Sequence, residues 1–183
     1  MERFNKKGLE ETIDTLFAPP YWPIKIKDFP ADVRFFDIER ERGVTSFDIG
    51  RIHVSLIDGC HPGGCSIFRI DCGDKSVVYA TDFEHSDKKK VEQLIALAKD
   101  ADIMIYDGQY TDEEFKVRKG YGHSTYSKGI EIAKASGVKE LILTHHDPMH
   151  DDNKLDLMEK EATWCAKGEF PVHFARAGET RVL

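Results

Sequence analysis

Residues 77–85 read VVYATDFEH, an apolar run typical of a β-strand that stops just before the carboxylate Asp82. Two later runs have the same form, because IMIY comes directly before Asp107 and LILT comes directly before His145. Open α/β sheets place their sites at the carboxyl ends of parallel strands, so these three residues are expected on one rim of a sheet. The repeated pattern predicts an α/β fold.

The remaining sequence supplies helices and antiparallel strands around these runs. Apolar residues at helical spacing predict helices over 8–17, 88–99, 125–136 and 154–166. Strand-forming residues predict strands over 33–38, 49–57, 65–72, 76–80, 103–106, 141–143 and 172–174. Antiparallel strands followed by alternating strands and helices predict a mixed sheet. The 183 residues carry no repeat or linker, so a single domain over 1–183 is expected.

The composition limits the kinds of function that the chain can have. Lys and Arg number 26 against 33 Asp and Glu, a net charge of −7, whereas binding along a phosphate backbone requires a basic surface. An acidic protein can still act on a phosphate ester when a metal ion supplies local positive charge. No stretch approaches the roughly 20 apolar residues of a membrane span, and no secretory signal is visible. With only four cysteines, the sequence predicts a cytoplasmic protein with reduced thiols.

Histidines lie in segments whose backbone is closely constrained. His61 lies in CHPGGC, where a proline and two glycines fix the turn around one imidazole, which suits a metal ligand or a catalytic base. His123 lies in GYGHST, just before a predicted helix that Ser124 or Thr125 can cap and whose N-terminus can hold an anion. The run HHDPMHDD at 145–152 holds three histidines and three aspartates, which zinc and harder metals accept as ligands.

Each of these residues also has a plainer interpretation when it is considered alone. Asp82 can simply start a surface loop, His61 can belong to an ordinary turn, and His123 can be incidental to a helix cap. The convergence of Asp82, Asp107 and His145 on one rim, with His61 in a tight turn, is more specific than any one of them.

Two other metal sites are compatible with the sequence. Cys60 and Cys65 with His61 suggest a thiolate zinc site, although no second close-spaced ligand pair completes it. The run at 145–152 can alternatively hold one structural metal on its own, while Asp151 or Asp152 caps the following helix.

The conjunction of these segments resembles the metallo-β-lactamase superfamily, and within it the phosphodiesterase-like branch related to ribonuclease Z. The resemblance spans roughly residues 17–165 and rests on HPGG, VVYATDFEH, IYDGQYT, GHST and LTHHDP, which occur in the family's order. It implies a four-layer αββα sandwich with a metal site on one edge. It also implies two Zn²⁺ ions, or Mn²⁺ or Fe in some members, that activate a hydroxide for attack on a phosphodiester or another ester.

The resemblance also implies roles for individual residues. His61, Asp82 and His145 match metal ligands, with His146 the less favoured choice for the last position. Asp82 matches the carboxylate that bridges the two metals, which places it in the catalytic machinery as well. His123 matches the histidine of the His-x-Thr motif, which contacts the scissile phosphate or assists the leaving group.

The chain departs from the family in one large respect. The signature His-x-His-x-Asp-His is absent before His61, so three of the usual seven ligands remain. We therefore expect the C-terminal part of the sandwich, weak or partial metal occupancy, and an isolated chain that is inactive. A partner chain supplying the missing half, or a homo-oligomer covering the exposed sheet face, is expected.

The function expected from this resemblance is hydrolysis of small phosphodiesters, and the alternative is a non-catalytic binding or scaffold remnant of the fold. Ribonuclease Z relatives grip tRNA with an extra flexible arm. No basic Gly/Pro-rich insertion is present, which disfavours tRNA as a substrate.

Overall fold

The computed structural model describes residues 9–35 and 44–183, which contain a seven-stranded sheet whose strand order follows the chain from β1 to β7. The strands are β1 (Val44–Ile49), β2 (Ile52–Asp58), β3 (Ser66–Cys72), β4 (Lys75–Ala80), β5 (Ile103–Asp107), β6 (Glu140–Thr144) and β7 (Val172–Phe174). Strands β1 to β4 pair antiparallel, and β4 to β7 pair parallel. The predicted α/β class with a mixed sheet is confirmed.

Helices connect the parallel strands, and local sequence signals fix where they begin. The α-helices are α1 (Leu9–Leu16), α2 (Lys88–Leu97), α3 (Asp112–Arg118), α4 (Tyr126–Ser136) and α5 (Asp152–Cys165). Side chains of Asp87, Thr111, Thr125 and Asp151 accept hydrogen bonds from the first free N–H groups of α2, α3, α4 and α5. None of the described helices is long and apolar enough to cross a membrane.

Three elements differ from the sequence prediction. Helix α3 was not expected, because seven residues carry too few apolar positions for a helical period, and the capping box of Thr111 and Glu114 was its one clear signal. The stretch predicted as one strand over 49–57 is divided by a turn in which Gly50 has a φ of 59°. The strand predicted over 33–38 is wrong for 33–35, which are irregular, and its remainder lies outside the described residues.

The core lies between one face of the sheet and helices α2, α4 and α5. Alternate strand residues such as Val78, Met104, Tyr106 and Leu143 are fully buried there. Gly129 lets α4 approach the sheet closely, since a Cβ at this position would lie 2.7 Å from Cδ1 of Tyr106. The packing holds the carboxyl ends of β4, β5 and β6 in fixed relative positions.

The opposite face of the sheet carries a row of apolar residues in cross-strand register, namely Leu56, Phe68, Tyr79, Ile105 and Ile142. Tyr79 in the middle of this row is 44% exposed, whereas Leu56 and Ile142 at its two ends are buried. Exposed apolar surface of this kind is typical of interfaces. Coverage of this face by a partner or a second copy stays a prediction.

Candidate metal centre

Three residues of the candidate centre lie at the carboxyl ends of the neighbouring parallel strands β4, β5 and β6. Asp82 lies two residues past β4, Asp107 ends β5, and His145 directly follows β6. Asp82 and His145 have left-handed φ angles of 54° and 63°, which are uncommon for residues other than glycine. Such backbone strain concentrates at functional sites, where the surrounding structure holds it in place.

The Asp82 carboxylate lies between two histidines. Its Oδ1 atom is 3.7 Å from Nε2 of His61 and 3.5 Å from Nε2 of His145. Two atoms that bind one zinc ion at about 2.0–2.2 Å are at most about 4.4 Å apart, so Asp82 lies close enough to share an ion with either histidine. Among the described residues, His61, Asp82 and His145 do not form one group whose ligand atoms all lie within 4.8 Å of one another. The Asp82 side chain is 40% exposed, which leaves room for an ion and its water to enter.

His123 joins the same cluster. Its ring stacks on that of His145 with centroids 4.8 Å apart and lies 5.5 Å from that of His61. Within the described residues, ligand atoms of His61, Asp82 and His123 all lie within 4.8 Å of one another, as do those of Asp107, His123 and His145. The structure therefore brings together five residues singled out in the sequence, namely His61, Asp82, Asp107, His123 and His145.

Asp107 orients the His123 ring through a hydrogen bond. Its fully buried Oδ2 lies 3.0 Å from Nδ1 of His123 and also accepts a hydrogen bond from the N–H of Phe83, while Oδ1 accepts from the N–H groups of Gln109 and Ser124. The hydrogen bond to Asp107 is the main reason that the pKa of His123 lies above its ordinary 6.5, although burial opposes the increase. The carboxylate thus fixes the ring and favours its protonated form.

The turn that carries His61 is held by its own backbone. The N–H of Gly64 donates to the His61 carbonyl at 2.9 Å, and the N–H of Gly63 donates to Nδ1 of the ring at 3.2 Å. A neutral ring that accepts at Nδ1 carries its proton on Nε2. Binding an ion through Nε2 therefore requires the proton to move to Nδ1.

His146 lies apart from the cluster. Its ring stacks on Phe174 with centroids 4.9 Å apart, and both ring nitrogens are buried without a hydrogen-bond partner. Burial is also the main reason that the pKa of His146 lies below its ordinary value. The geometry therefore favours His145 over His146 as the histidine that faces Asp82.

The other histidine and aspartate side chains of the run over 145–152 contact different partners. Asp147 pairs with Arg118, Nε2 of His150 lies 2.9 Å from Oε1 of Glu114, and Asp151 caps α5. The candidate ligand groups found among the described residues take only His145 from this run. The helix-cap part of the prediction holds, whereas the run does not converge on an ion of its own.

The described residues do not bring Cys60, Cys65 and His61 together as a close group of metal ligands. Burial, with smaller contributions from Asp58 and Asp82, raises the pKa of the Cys65 thiol to about 12. The candidate ligand groups of the described residues include no cysteine, and all four cysteines are unpaired.

Residues 14–146 match the family described as the β-lactamase superfamily domain. The chain belongs to this family. Ribonuclease Z of Brevibacillus brevis is 32% identical over 97 residues, which are 53% of this chain and 29% of that protein. The probable metallo-hydrolase YhfI of Bacillus subtilis is 32% identical over 132 residues, which are 70% of this chain and 48% of that protein.

Two solved structures share the fold. The crystal structure of YhfI from Bacillus subtilis superposes with a TM-score of 0.57 at 24% identity, covering 74% of this chain and 51% of that one. The short form of human tRNase Z superposes with a TM-score of 0.51 at 20% identity, covering 61% of this chain and 42% of that one. The chain thus spans about half the length of YhfI, or less than half of the other relatives reported.

Sequence reasoning did not identify the residues that join the loops of the centre to one another. Glu84 accepts hydrogen bonds from the N–H groups of Gly120 and Gly122. Ser124 Oγ lies 2.7 Å from both His85 Nδ1 and the Tyr106 hydroxyl. Glu84 and His85 lie within the stretch VVYATDFEH, but nothing local to that stretch indicates their distant partners.

Proposed function

We propose that this chain contributes a metal-dependent hydrolase site that acts on phosphodiesters. Zn²⁺, or Mn²⁺ or Fe in its place, would be held by His61, Asp82 and His145. The observation that carries the proposal is the position of Asp82 Oδ1 within 3.7 Å of one histidine nitrogen and 3.5 Å of another. When bound, such an ion lowers the pKa of its water to about 7 and so supplies a hydroxide nucleophile.

His123 would act as the proton donor in this reaction. Asp107 holds its Nδ1, which leaves Nε2 as the nitrogen able to pass a proton to the departing alkoxide oxygen. The raised pKa keeps the ring protonated at a higher pH than an ordinary histidine. General acid catalysis of this kind contributes roughly 10²–10⁴-fold to a rate.

We further propose that the isolated chain binds metal weakly and needs additional ligands for turnover. Three protein ligands leave coordination positions to water and do not hold a tight pair of ions. A segment carrying His-x-His-x-Asp-His, from a partner chain or elsewhere, would complete the centre. A second copy or that partner would also cover the apolar sheet face, and light scattering at micromolar concentration that gives a clean monomer would contradict this part.

Small phosphodiesters in the cytoplasm are the proposed substrates. The net charge of −7 opposes binding along a polyanionic chain such as tRNA. The kinship to proteins called ribonuclease Z favours a phosphodiester over other esters. The described residues have no membrane-spanning helix, and four unpaired cysteines fit a reducing compartment.

The test is the initial rate of bis(p-nitrophenyl) phosphate hydrolysis at fixed Zn²⁺ or Mn²⁺. The chain alone should not exceed buffer containing the same metal, and a polypeptide carrying the His-x-His-x-Asp-His segment should restore turnover. Asp82→Ala should abolish the restored rate, whereas His53→Ala, which alters an exposed histidine paired with Asp48, should leave it unchanged. Chelator-sensitive turnover by the chain alone would contradict the need for a partner.

The second candidate is a non-catalytic binding or scaffold role on the same fold, which is favoured by a set of three protein ligands that is too small for a tight pair of ions. This candidate predicts no turnover with any added segment. Metal analysis separates the two further, because a hydrolase site should bind an ion that His145→Ala releases and His146→Ala retains.

A further inference from the structure

We infer that Glu84 is the positioning residue of the centre, the group that locks the loop after β4 to the His61 turn (residues 59–65) and to the glycine loop (residues 120–123). This role rests on the proposed function for its catalytic meaning, although its structural consequences can be measured without metal.

Glu84 makes bonds in two directions from a buried position. Its backbone N–H donates to the carbonyl of Cys60 at 2.8 Å, which ties it to the His61 turn. Its Oε2 accepts from the N–H groups of Gly120 at 2.7 Å and Gly122 at 3.0 Å, which ties it to the glycine loop. The residue is only 4% exposed, so these bonds are shielded from water.

One carboxylate oxygen of Glu84 serves both glycines, because Oε2 accepts hydrogen bonds from the N–H groups of Gly120 and Gly122. Hydrogen bonds to a charged acceptor are roughly twice as strong as neutral ones. Removing the acceptor would leave two N–H groups of the glycine loop without this partner.

These bonds control the relative positions of three functional residues. Asp82 lies two residues before Glu84 on the same loop. Gly122 packs directly on His61, because a Cβ there would lie 2.1 Å from Cδ2 of the ring, and it immediately precedes His123. A shift of the glycine loop therefore moves His123 and removes the support of the His61 ring at once.

The first measurement is Co²⁺ affinity of the full chain by calorimetric titration and by the visible absorption of the bound ion. Glu84→Ala should weaken affinity about 10–100-fold, the usual effect of removing a group that orients metal ligands. Glu84→Gln keeps an acceptor oxygen in the same place, so it should recover most of the affinity. Glu92→Ala, at an exposed glutamate of α2, is the matched control and should bind as the parent does.

The second measurement uses nuclear magnetic resonance of the metal-free protein, so that it is independent of the proposed hydrolase function. Glu84→Ala should move the amide signals of Gly120 and Gly122 upfield, speed their hydrogen exchange, and shift the ring signals of His61 and His123. Glu84→Gln should move the same signals in the same direction by less, since a neutral acceptor bonds more weakly.

The outcomes separate the two hypotheses. Unchanged ring signals of His61 and His123 despite shifted glycine amides would overturn the positioning role. If Glu84→Ala does not fold, the same ring signals are measured in Glu84→Gln. A parent chain that binds no Co²⁺ would count against the hydrolase site while the ring signals still decide the role of Glu84. A Co²⁺ affinity of Glu84→Ala equal to that of the parent chain would refute the inference outright.

Discussion

Alanine substitutions at Gly122 and Gly120 provide a matched test of how the glycine loop supports the metal centre. The two residues lie in one loop, have φ angles of 96° and 93°, and donate to the same oxygen of Glu84. A left-handed conformation costs a residue with a Cβ about 1–2 kcal/mol, so both substitutions carry a similar backbone penalty. Only the surroundings of the added methyl group differ between them.

The difference is large at Gly122. Its new Cβ would lie 2.1 Å from Cδ2 and 2.7 Å from Nε2 of His61, whereas a Cβ at Gly120 meets nothing within 4 Å. Carbon atoms in contact normally lie roughly 3.5–4.0 Å apart, so the ring or the loop must retreat by about 1.4 Å, the difference between 3.5 and 2.1 Å. Productive sites tolerate displacements of only about 0.5 Å.

We therefore expect Gly122→Ala to melt at a lower temperature than Gly120→Ala, because the overlap with the His61 ring adds to the backbone strain that both variants share, and to bind metal more weakly. Each should lose about 2–4 °C in Tm per kcal/mol of backbone strain. Gly122→Ala should bind Co²⁺ at least about tenfold more weakly than Gly120→Ala, and its His61 ring signals should shift in the metal-free protein. Equal Co²⁺ affinities with unshifted ring signals would refute the argument that the loop backs the His61 ring.

Three further predictions concern stability. Asp107→Asn places an NH₂ group beside several N–H donors, so we expect a loss of about 1–3 kcal/mol in urea unfolding, with a shifted His123 ring signal as the local check. Burial would raise the pKa of Glu114, but N–H and side-chain hydrogen bonds from Thr111 and one from His150 lower it to about 2. Its stabilising effect is therefore present above about pH 4.5 and lost as the pH falls towards about 2, so Glu114→Gln should make thermal stability less dependent on pH in that window. Gly129→Ala should destabilise the protein by about 1–3 kcal/mol, because its Cβ would lie 2.7 Å from Cδ1 of Tyr106, and a Tm equal to or above that of the parent would contradict this.

The sequence was sufficient to predict the residues at the strand ends of the centre, because an apolar strand followed by an ionisable residue is a local pattern. A buried parallel strand is an unbroken apolar run, and the first ionisable residue after it lies at the carboxyl edge of the sheet. Asp82, Asp107 and His145 follow this rule, so their convergence could be predicted without any tertiary contact. The tight turn around His61 was equally visible from its proline and glycines.

The remaining features depend on contacts between distant parts of the chain. Glu84 meets Gly120 and Gly122 across 36 and 38 residues, and no periodic pattern indicates such a pairing. Helix α3 was missed because it is short, and its position is fixed by the pairing of Arg118 with Asp147 as well as by its capping box. Packing also determines why His145 faces Asp82 and His146 does not, since the His146 ring stacks on the ring of Phe174.

The strand order of the sheet has a consequence for how the protein forms. Every strand from β1 to β7 pairs with the strand next to it in the chain, so each new pairing closes a loop of modest length. The antiparallel pairings of β1 to β4 close short turns, whereas each parallel pairing of β4 to β7 requires a crossover through at least one helix and is slower to form. The antiparallel part of the sheet is therefore expected to form before the parallel part. His61 and Asp82 would take their places first, and His145 would reach the rim only after β6 has been added.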